Sequence, residues 1–345
     1  MSSTFPIENR IAAFDALGKH LQQVIDEDFS SEAIQQVLRM AKNENAWFTE
    51  KSIREAIAEI RPWLHQEHLL SWVAPYDFHA ANKTIGLIMA GNIPLVGFHD
   101  MLSILVSGNS VRGKISSKDR ILPNYISQEL IKIDPRFEQV IELSEAPLKN
   151  IDAIIATGSN NSAMYFESYF GKYPNIIRKN RNSVAVLDGN ESKADLLELG
   201  KDIFSYYGLG CRNVSKLYVP ANYSFNTFFE TIVEFGDIID HHKYNNNYTY
   251  NRAIYLMSRE HMLDNNFLLL KKDEHLASPI GVLHYQEYED KTDLDSLLES
   301  QSSNIQGIVS NSNEHLAFGE LQSPKLDDYA DGVNTLQFLA NLGTE

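Results

Sequence analysis

Residues 84–114, TIGLIMAGNIPLVGFHDMLSILVSGNSVRGK, decide the fold. They begin with a short apolar run, 84–90, without alternating polar residues, which is typical of a strand buried on both faces of a parallel sheet. A turn at Gly91 leads into an apolar helix that Gly108 can end. The next strand is predicted at 110–116. A strand, a helix and a second strand in this order indicate the doubly wound α/β class.

The same alternation continues after this stretch. The next predicted elements are a helix at 119–133, strands at 138–144 and 152–156, and a helix at 160–170. In sheets of this class, ligands bind at the carboxyl ends of the strands. We therefore expect the segments that follow these strands to carry a ligand site.

A second α/β unit is predicted from Ser183 onward. Its predicted elements are strands at 183–187, 214–219, 265–270, 281–286 and 305–309, and helices at 191–206, 223–239 and 247–261. The polar segments 240–242 and 245–247 are interpreted as a connection.

The chain before residue 80 is predicted to be helical. Apolar residues recur at steps of three and four from Ile7 to Val24, the pattern of an amphipathic helix. Ser30 and Thr49 are predicted to begin two further helices, because each places an oxygen acceptor at a helix start. Pro62 is predicted to distort or end the third helix.

The composition of the 345-residue chain excludes several classes of function. A net charge of −16 and a pI near 5.1 argue against non-specific binding to nucleic acid or to an anionic membrane surface. A single cysteine excludes an intramolecular disulfide and a cysteine-rich metal site. The N-terminal residues lack the apolar core of a signal peptide, and no apolar run approaches the ~20 residues of a membrane span. We expect a cytoplasmic protein.

Cys211 has two interpretations on its own residues. Free cysteine is most often a small buried hydrophobe. Gly208 and Gly210, however, leave backbone room for a substrate, and Arg212 is adjacent. A thiolate attacks an activated carbonyl carbon well when nearby positive charge favours it. Buried hydrophobe and nucleophile both stay open at this point.

Other polar residues are equally ambiguous. An asparagine in a turn most often bonds its own backbone, whereas the Asn92 amide could stabilise an oxyanion on a thioester carbonyl. Lys114 is either a solvated lysine or, at the edge of the sheet, a ligand of a cofactor ribose or phosphate. His99 is interpreted as a packed histidine. The adjacent pair His241 and His242 lacks the spacing of a metal site, so we expect no metal.

Five motifs follow one another in register along the chain. They are AGNIPLVGFHD (90–100), KISSKD (114–119), YYGLGCRNVSKLYVP (206–220), SPIGVLHY (278–285) and QSPKLDDYADGVNT (322–335). Together they resemble the LuxC-like acyl-CoA reductases, the reductase component of fatty-acid reductases. The wider aldehyde dehydrogenase superfamily is resembled in the order and approximate spacing of four segments, GNIP (91–94), SGNSVRGK (107–114), ATGS (156–159) and GLGC (208–211). The resemblance covers about 83–338 and implies an aldehyde-dehydrogenase-like α/β fold.

The resemblance also implies roles for single residues. Cys211 resembles the nucleophile, and Asn92 resembles the oxyanion-stabilising amide. Lys114 resembles the lysine that contacts the adenosine ribose. The turn beside the cofactor phosphates and nicotinamide is matched by Thr157, Gly158 and Ser159.

Two departures from the superfamily pattern refine the expected reaction. Where dehydrogenases that prefer NAD have a glutamate three residues after that lysine, this chain has Ser117, followed by Lys118. A carboxylate would repel a 2′-phosphate, whereas serine and lysine can bind it, so NADPH is favoured. The glutamate that activates water in oxidising members should fall near 178–181, where the sequence is RKNR. Without that base the acyl-enzyme hydrolyses slowly, which favours a reductase.

The expected function is NADPH-dependent reduction of a fatty acyl thioester, acyl-CoA or acyl-protein, to a fatty aldehyde through a cysteine-bound acyl group. One alternative is an NADP-dependent aldehyde dehydrogenase that oxidises an aldehyde to an acid. The other is a non-catalytic subunit of a fatty-acid reductase complex. Expected partners are the thioester substrate, acyl-transferase or synthetase subunits, and further copies of the chain.

The pattern of predicted elements and the resemblance together predict a division of the chain. We expect an N-terminal helical segment (1–82), a Rossmann-type NADPH-binding domain (83–182), a catalytic domain with the cysteine (183–320), and a C-terminal segment (321–345) that could return to the first domain.

Overall fold

The computed structural model describes residues 5–26, 31–78 and 82–342. The chain forms two compact units. The first consists of Met1–Lys179 with Lys325–Glu345, and the second of Asn180–Pro324.

Helices and strands alternate along most of the chain. The helices are α1 (Ile7–Ile25), α2 (Glu32–Glu44), α3 (Glu50–Ile60), α4 (Gln66–Val73), α5 (Phe98–Val106), α6 (Ile121–Ile133), α7 (Asn160–Phe170), α8 (Lys193–Phe204), α9 (Asn226–Ile232), α10 (His242–Met257), α11 (Lys291–Gln301) and α12 (Thr335–Asn341). The strands are β1 (Thr84–Ile88), β2 (Ser110–Lys114), β3 (Ile141–Ser144), β4 (Ala153–Thr157), β5 (Asn175–Arg178), β6 (Asn182–Val186), β7 (Val214–Pro220), β8 (Leu263–Asp264), β9 (Leu269–Lys272), β10 (Val282–Tyr288) and β11 (Ile305–Val309).

The first unit contains a five-stranded sheet with the order β3-β2-β1-β4-β5. Its strand pairs are parallel, and β1 is buried from its second residue onward, as its apolar run predicts. This is the Rossmann strand order, and it reverses between β1 and β4. Ligands of such sheets bind at the carboxyl ends of the strands at this switch point.

The helices before β1 share the hydrophobic core of the first unit. Phe14 of α1 and Leu102 of α5 belong to one cluster of buried residues. The Arg10 guanidinium is buried and donates to the backbone carbonyl oxygens of Leu105 and Asn109 at 3.0 and 2.6 Å. These bonds tie α1 to the end of α5.

Aromatic side chains fasten the C-terminal segment to the same unit. The Trp72 indole N–H donates to the Tyr329 hydroxyl at 2.9 Å. The His99 ring contacts Trp63, Trp72 and Tyr329, and its Nε2 lies 2.9 Å from the Leu326 carbonyl oxygen. His99 is therefore a packed histidine, as predicted.

The second unit contains a six-stranded sheet with the order β11-β6-β7-β10-β9-β8. β8 is antiparallel to β9, and the remaining pairs are parallel. β7 lies between β6 and β10, with Leu217 and Val219 packed in one hydrophobic cluster and Tyr218 in another. Cys211 lies in the connection from α8 to β7.

The predicted helix at 247–261 corresponds to α10, but α10 begins earlier, at His242. The polar segments predicted as a connection, 240–242 and 245–247, are therefore wrong from His242 onward. The inward face of this helix carries Tyr244, Tyr248, Asn251 and Tyr255. Tyrosine and asparagine look polar in the sequence, but the tyrosine rings supply the apolar surface that packs.

Smaller differences concern helix starts and short elements. β5 was not predicted, since it has four residues of alternating burial and no apolar run; α11 and α12 were not predicted either. Ser31 caps α2 by accepting the Ile34 N–H, whereas the predicted cap, Ser30, lies outside the described residues. Thr49 caps α3 as predicted, and that helix ends at Ile60 before a short 3₁₀ helix that contains Pro62.

Candidate active site

Asn92 lies at the switch point of the first sheet. It is exposed and follows β1, which ends at Ile88. On one side of β1, Lys114 ends β2, and on the other side Thr157 ends β4. Three predicted site residues are thus brought to one edge of the sheet, at the place where dinucleotides bind in folds of this class.

The segment with Ser117 and Lys118 lies against the Asn92 turn. A Cβ atom added to Gly91 would lie 2.5 Å from Ser116 Oγ and 3.3 Å from Lys118 Cβ, so this close approach requires glycine. The Ser116 hydroxyl oxygen accepts the Lys118 backbone N–H at 3.2 Å. Both Ser117 and Lys118 are exposed, which leaves them accessible to a ligand at this edge.

A buried carboxyl group holds the Asn92 turn. Leu95, with a φ of 55°, donates its backbone N–H to Asp119 Oδ2 at 2.9 Å. Asp119 is 3% exposed. Burial raises the pKa of Asp119 to about 7, even though the Leu95 hydrogen bond acts in the opposite direction. The sequence places Asp119 in the KISSKD motif but gives no sign of its partner, which is a backbone amide.

The turn after β4 leads directly into α7. Ser159 caps this helix, because its hydroxyl oxygen accepts the Ser162 N–H at 3.2 Å. A Cβ atom on Gly158 would lie 2.8 Å from Ser162 Cβ, so the backbone passes close to the first turn of the helix. A helix start at this edge offers backbone N–H groups and partial positive charge to a phosphate. Thr157, Gly158 and Ser159 therefore fit the role expected for them.

Cys211 lies in the second unit and is partly exposed, so it is not a fully buried hydrophobe. The turn before it is tightly bent: φ is 49° at Tyr206, 61° at Tyr207 and 75° at Gly208. Glycine adopts this left-handed conformation readily, but bulky residues rarely do. The glycines predicted a turn here, whereas the two left-handed tyrosines were not predicted.

Asn213, which the sequence did not single out, closes the cysteine turn. Its side chain is 2% exposed. Oδ1 accepts the Gly210 N–H at 2.8 Å, and Nδ2 donates to the carbonyl oxygens of Asp202 and Ser205 at 3.0 and 2.8 Å. All these partners are backbone atoms, so no pairing of residue types in the sequence reveals them.

Arg178 has a structural role in the first unit. It ends β5, and its guanidinium donates to Asp100 Oδ2 at 2.6 Å and to Thr335 Oγ1 at 2.9 Å. Both members of the ion pair are buried. Arg178 therefore joins α5, β5 and the start of α12, and it is a structural cation within the 178–181 segment, where a glutamate is expected in oxidising relatives.

His241 and His242 stack with ring centroids 5.3 Å apart. Their rings can stack because His241 is the cap residue before α10 and has an extended backbone. Among the residues that the structure describes, no group of three or more histidine, cysteine, aspartate or glutamate residues is arranged to hold a metal ion.

Comparison with known families identifies the chain. The family described as acyl-CoA reductase (LuxC) matches residues 20–232, more than half of the 345 residues. The chain belongs to the LuxC acyl-CoA reductase family. It is therefore an oxidoreductase, as predicted from the five motifs. A comparison with curated proteins finds no match.

The fold of this LuxC-family chain is similar to that of aldehyde dehydrogenases. Aldehyde dehydrogenase 21 from Physcomitrella patens, solved with succinate as its reaction product, is 12% identical with a TM-score of 0.68, over 98% of this chain and 84% of that one. P. syringae AldA, an indole-3-acetaldehyde dehydrogenase solved with NAD+, is 12% identical with a TM-score of 0.66, over 90% and 74%. A putative aldehyde dehydrogenase from Burkholderia cenocepacia is 13% identical with a TM-score of 0.65, over 88% and 73%. These similarities confirm the predicted fold class.

The predicted site of the LuxC-family chain is thus divided between two described regions. One edge of the first sheet gathers the residues predicted to bind the cofactor, together with Asn92. The second unit supplies a partly exposed thiol on a constrained turn.

Within residues 5–26, 31–78 and 82–342, no helix has the length and apolar character required to cross a bilayer.

Proposed function

We propose that this chain reduces a fatty acyl thioester to a fatty aldehyde with NADPH, by way of an acyl group bound to Cys211. The observation that carries the proposal is the cysteine turn. The only cysteine of the chain is partly exposed, after three left-handed residues. Strained backbone of this kind concentrates at functional sites. The family to which the chain belongs is described as acyl-CoA reductase.

In the first half-reaction, the Cys211 thiolate attacks the carbonyl carbon of the acyl thioester. The bond between that carbon and the sulfur of the donor breaks, and the donor leaves as a thiolate that takes a proton from solvent. Negative charge develops on the carbonyl oxygen during this step. The proposed role of the Asn92 side-chain amide is to donate a hydrogen bond to that oxygen.

The residues at the edge of the first sheet fit a dinucleotide. The strand order reverses there, α7 begins there with a capped first turn, and Gly91 and Gly158 bring backbone close to neighbouring segments. The AldA structure, which shares the fold, contains NAD+. When bound, a reduced nicotinamide supplies the hydride that the acyl carbonyl carbon accepts.

NADPH is proposed over NADH because of Ser117 and Lys118. Both side chains are exposed beside the Asn92 turn, and position 117 carries no carboxylate. A lysine ammonium and a serine hydroxyl can both donate to a 2′-phosphate. Lys114, exposed at the end of β2, is proposed to contact the adenosine ribose.

In the second half-reaction, Cys211 holds the reduced group as a thiohemiacetal. The carbon–sulfur bond then breaks, the hydroxyl proton passes to solvent, and the aldehyde leaves. This restores the Cys211 thiolate for another cycle. The Asn92 amide is proposed to stabilise the alkoxide before it is protonated.

The sequence of the 178–181 segment favours reduction over hydrolysis. It is RKNR, without a carboxylate, where the resemblance places the glutamate that activates water in an oxidising enzyme, and Arg178 there is held in a buried ion pair with Asp100. Attack by water on the acyl-enzyme is slow without a general base. The acyl group therefore persists on Cys211 until hydride arrives.

Product analysis tests the proposal. The full chain, given a fatty acyl-CoA and NADPH, should form one aldehyde for each NADPH oxidised. The Cys211→Ala variant should lose about 10⁴-fold or more in rate and still bind NADPH, which a change in NADPH fluorescence on binding would show. Acyl-protein is the second donor to test, with acyl-transferase or synthetase subunits as its proposed source.

Two outcomes would contradict the proposal. Formation of acid from aldehyde and NADP+, without thioester reduction, would instead indicate an aldehyde dehydrogenase. Binding of acyl-CoA without turnover of either donor would indicate a non-catalytic subunit of a reductase complex.

A further inference from the structure

The backbone around Cys211 is held in an unfavourable conformation. Tyr206 and Tyr207 both adopt left-handed φ angles, followed by Gly208 in the same region. An L-residue in this region brings its Cβ too close to the following carbonyl oxygen. Two such residues in succession persist only when their surroundings fix them.

Asn213 supplies bonds on both sides of this bend. On the N-terminal side its Nδ2 donates to the Ser205 carbonyl oxygen at 2.8 Å, and on the C-terminal side its Oδ1 accepts the Gly210 N–H at 2.8 Å. The backbone N–H of Asn213 also donates to the Gly210 carbonyl oxygen at 3.1 Å. The carboxamide therefore bridges the residue before the left-handed segment and the residue before Cys211.

The carboxamide is itself anchored to the core of the second unit. Nδ2 also donates to the Asp202 carbonyl oxygen at 3.0 Å. The Asp202 carboxyl group, which is fully buried, accepts the N–H groups of Gly319 and Leu321. The bridge thus ends on the last turn of α8.

Two further side chains hold the backbone on the far side of the thiol. The Ser183 hydroxyl donates to the Cys211 carbonyl oxygen at 3.1 Å, and the Gln322 amide donates to the Arg212 carbonyl oxygen at 3.1 Å. These bonds fix the backbone after the thiol, whereas the Asn213 side chain spans the left-handed bend before it, together with the backbone bond from the Leu209 N–H to the Tyr206 carbonyl oxygen at 3.2 Å.

We propose that Asn213 is a positioning residue for the reaction: its carboxamide holds the 205–210 bend so that the Cys211 thiol is aligned with the acyl carbonyl carbon. This inference rests on the proposed function. An ångström of misplacement in a reacting group can cost orders of magnitude in rate. Loss of the bridge is therefore expected to slow acyl transfer more than it weakens acyl-donor binding.

Asn265 provides a matched control. It is also an asparagine that closes a loop of the second unit, since its Oδ1 accepts the N–H groups of Phe267 and Leu268 at 3.2 and 2.8 Å. The loop that it closes joins β8 and β9 and carries no cysteine. Asn265→Ala removes a comparable pair of loop bonds and none of the bonds that the Asn213 side chain makes.

The experiment compares the parent chain, Asn213→Ala and Asn265→Ala. Each is mixed with excess fatty acyl-CoA without NADPH, and intact mass is followed over time to obtain the acylation rate constant, its dependence on acyl-CoA concentration and the melting temperature. Because the chain has one cysteine, the adduct reports on Cys211. Asn213→Ala should lower the limiting rate constant about tenfold or more, with half-saturation unchanged. Asn265→Ala should leave the rate constant unchanged.

Each result decides between the alternatives. If Asn213→Ala acylates as fast as Asn265→Ala, Asn213 is only a structural residue and the inference fails while the proposed function stands. If the parent chain forms no adduct, the proposed function fails and the inference fails with it. Should Asn213→Ala not fold, Asn213→Asp decides by the same comparison. It has the same size and keeps the acceptor for Gly210, but it presents a carboxylate to the carbonyl oxygens of Ser205 and Asp202.

Discussion

The turn that carries Asn92 and the turn that leads to Cys211 have two structural features in common. Each contains bulky residues in the left-handed region: Leu95 in the first, and Tyr206 and Tyr207 in the second. Each is held through a backbone N–H that donates to one buried side-chain oxygen. The oxygen belongs to Asp119 in the first turn and to Asn213 in the second.

The two holding groups differ in how they respond to protons. Burial raises the pKa of Asp119 to about 7, so its charge changes near neutral pH. The carboxamide of Asn213 does not titrate over that range. The difference teaches that two turns of similar geometry need not share a pH dependence: the Asn92 turn is tied to a titrating group, and the cysteine turn is tied to a neutral one.

Among changes to the Asn92 turn and its neighbours, the largest effect is expected when the turn loses the Asn92 side chain. Asn92→Ala should lower kcat about 10²- to 10³-fold, which is ~3–4 kcal/mol, because one oxyanion donor is lost. Asn92 is exposed, so the melting temperature should not change. Steady-state rates of aldehyde formation measure the effect.

Asn92→Asp is the matched variant for this prediction. It keeps the size of the side chain but places a negative charge where an oxyanion develops, so it should not recover the lost rate. Normal turnover in either variant would limit the first turn to a role in cofactor binding.

The Asp119→Asn variant tests whether the Asn92 turn depends on pH through Asp119. A carboxyl group with a pKa raised from 3.8 to about 7 on folding stabilises the fold at low pH, and its contribution is lost as pH rises through 7. Asparagine cannot ionise. The free energy of unfolding of the parent should therefore fall between pH 5 and pH 8, and that of the variant should lack this fall. The difference between variant and parent should grow by about 2 kcal/mol in favour of the variant over that range.

Tryptophan fluorescence reads out this prediction in the first unit alone. The three tryptophans of the chain, Trp47, Trp63 and Trp72, all belong to that unit. Urea unfolding is followed at several pH values for parent and variant. Curves that shift in parallel with pH would show that Asp119 does not titrate between pH 5 and pH 8. Asp202, the buried carboxyl group of the second unit, is present in both chains and cancels.

A smaller effect is expected at Lys118, which lies in the segment that packs against the Asn92 turn. Lys118→Ala should weaken NADPH binding about tenfold, which is ~1.4 kcal/mol, through loss of one charged donor to the 2′-phosphate. Binding of NADH, which lacks that phosphate, should not change. Fluorescence titration with both cofactors measures the ratio, and an equal loss for both would assign Lys118 to a part of the cofactor that they share.

The elements that bury apolar runs could be predicted from the sequence. β1, α5 and β2 follow from 84–114. Gly91 also predicted the turn after β1, and the structure shows that the backbone there passes too close to Ser116 for a side chain. The start of α10 could not be predicted, because tyrosines supply much of its buried face. β5 is too short to show a pattern of its own.

The candidate site was predictable only where the chemistry belongs to a side chain type. Cys211 and Asn92 were singled out because a thiol and an amide have recognisable reactivity. Asp119 and Asn213 were missed, since their partners are backbone amides and carbonyls that exist only after folding. Residues that position a site carry no signal of their own in a single sequence.

The most direct test of the account is a chase of the acyl-enzyme. The full chain is acylated with a fatty acyl-CoA, freed of excess donor, and digested to show whether the acyl group is on the peptide that contains Cys211. NADPH is then added in single turnover. The account predicts that the acyl mass disappears from that peptide and that an equal amount of fatty aldehyde forms, with the free thiol restored. An acyl group that stays on Cys211 in the presence of NADPH, or that leaves only as the fatty acid, would contradict it.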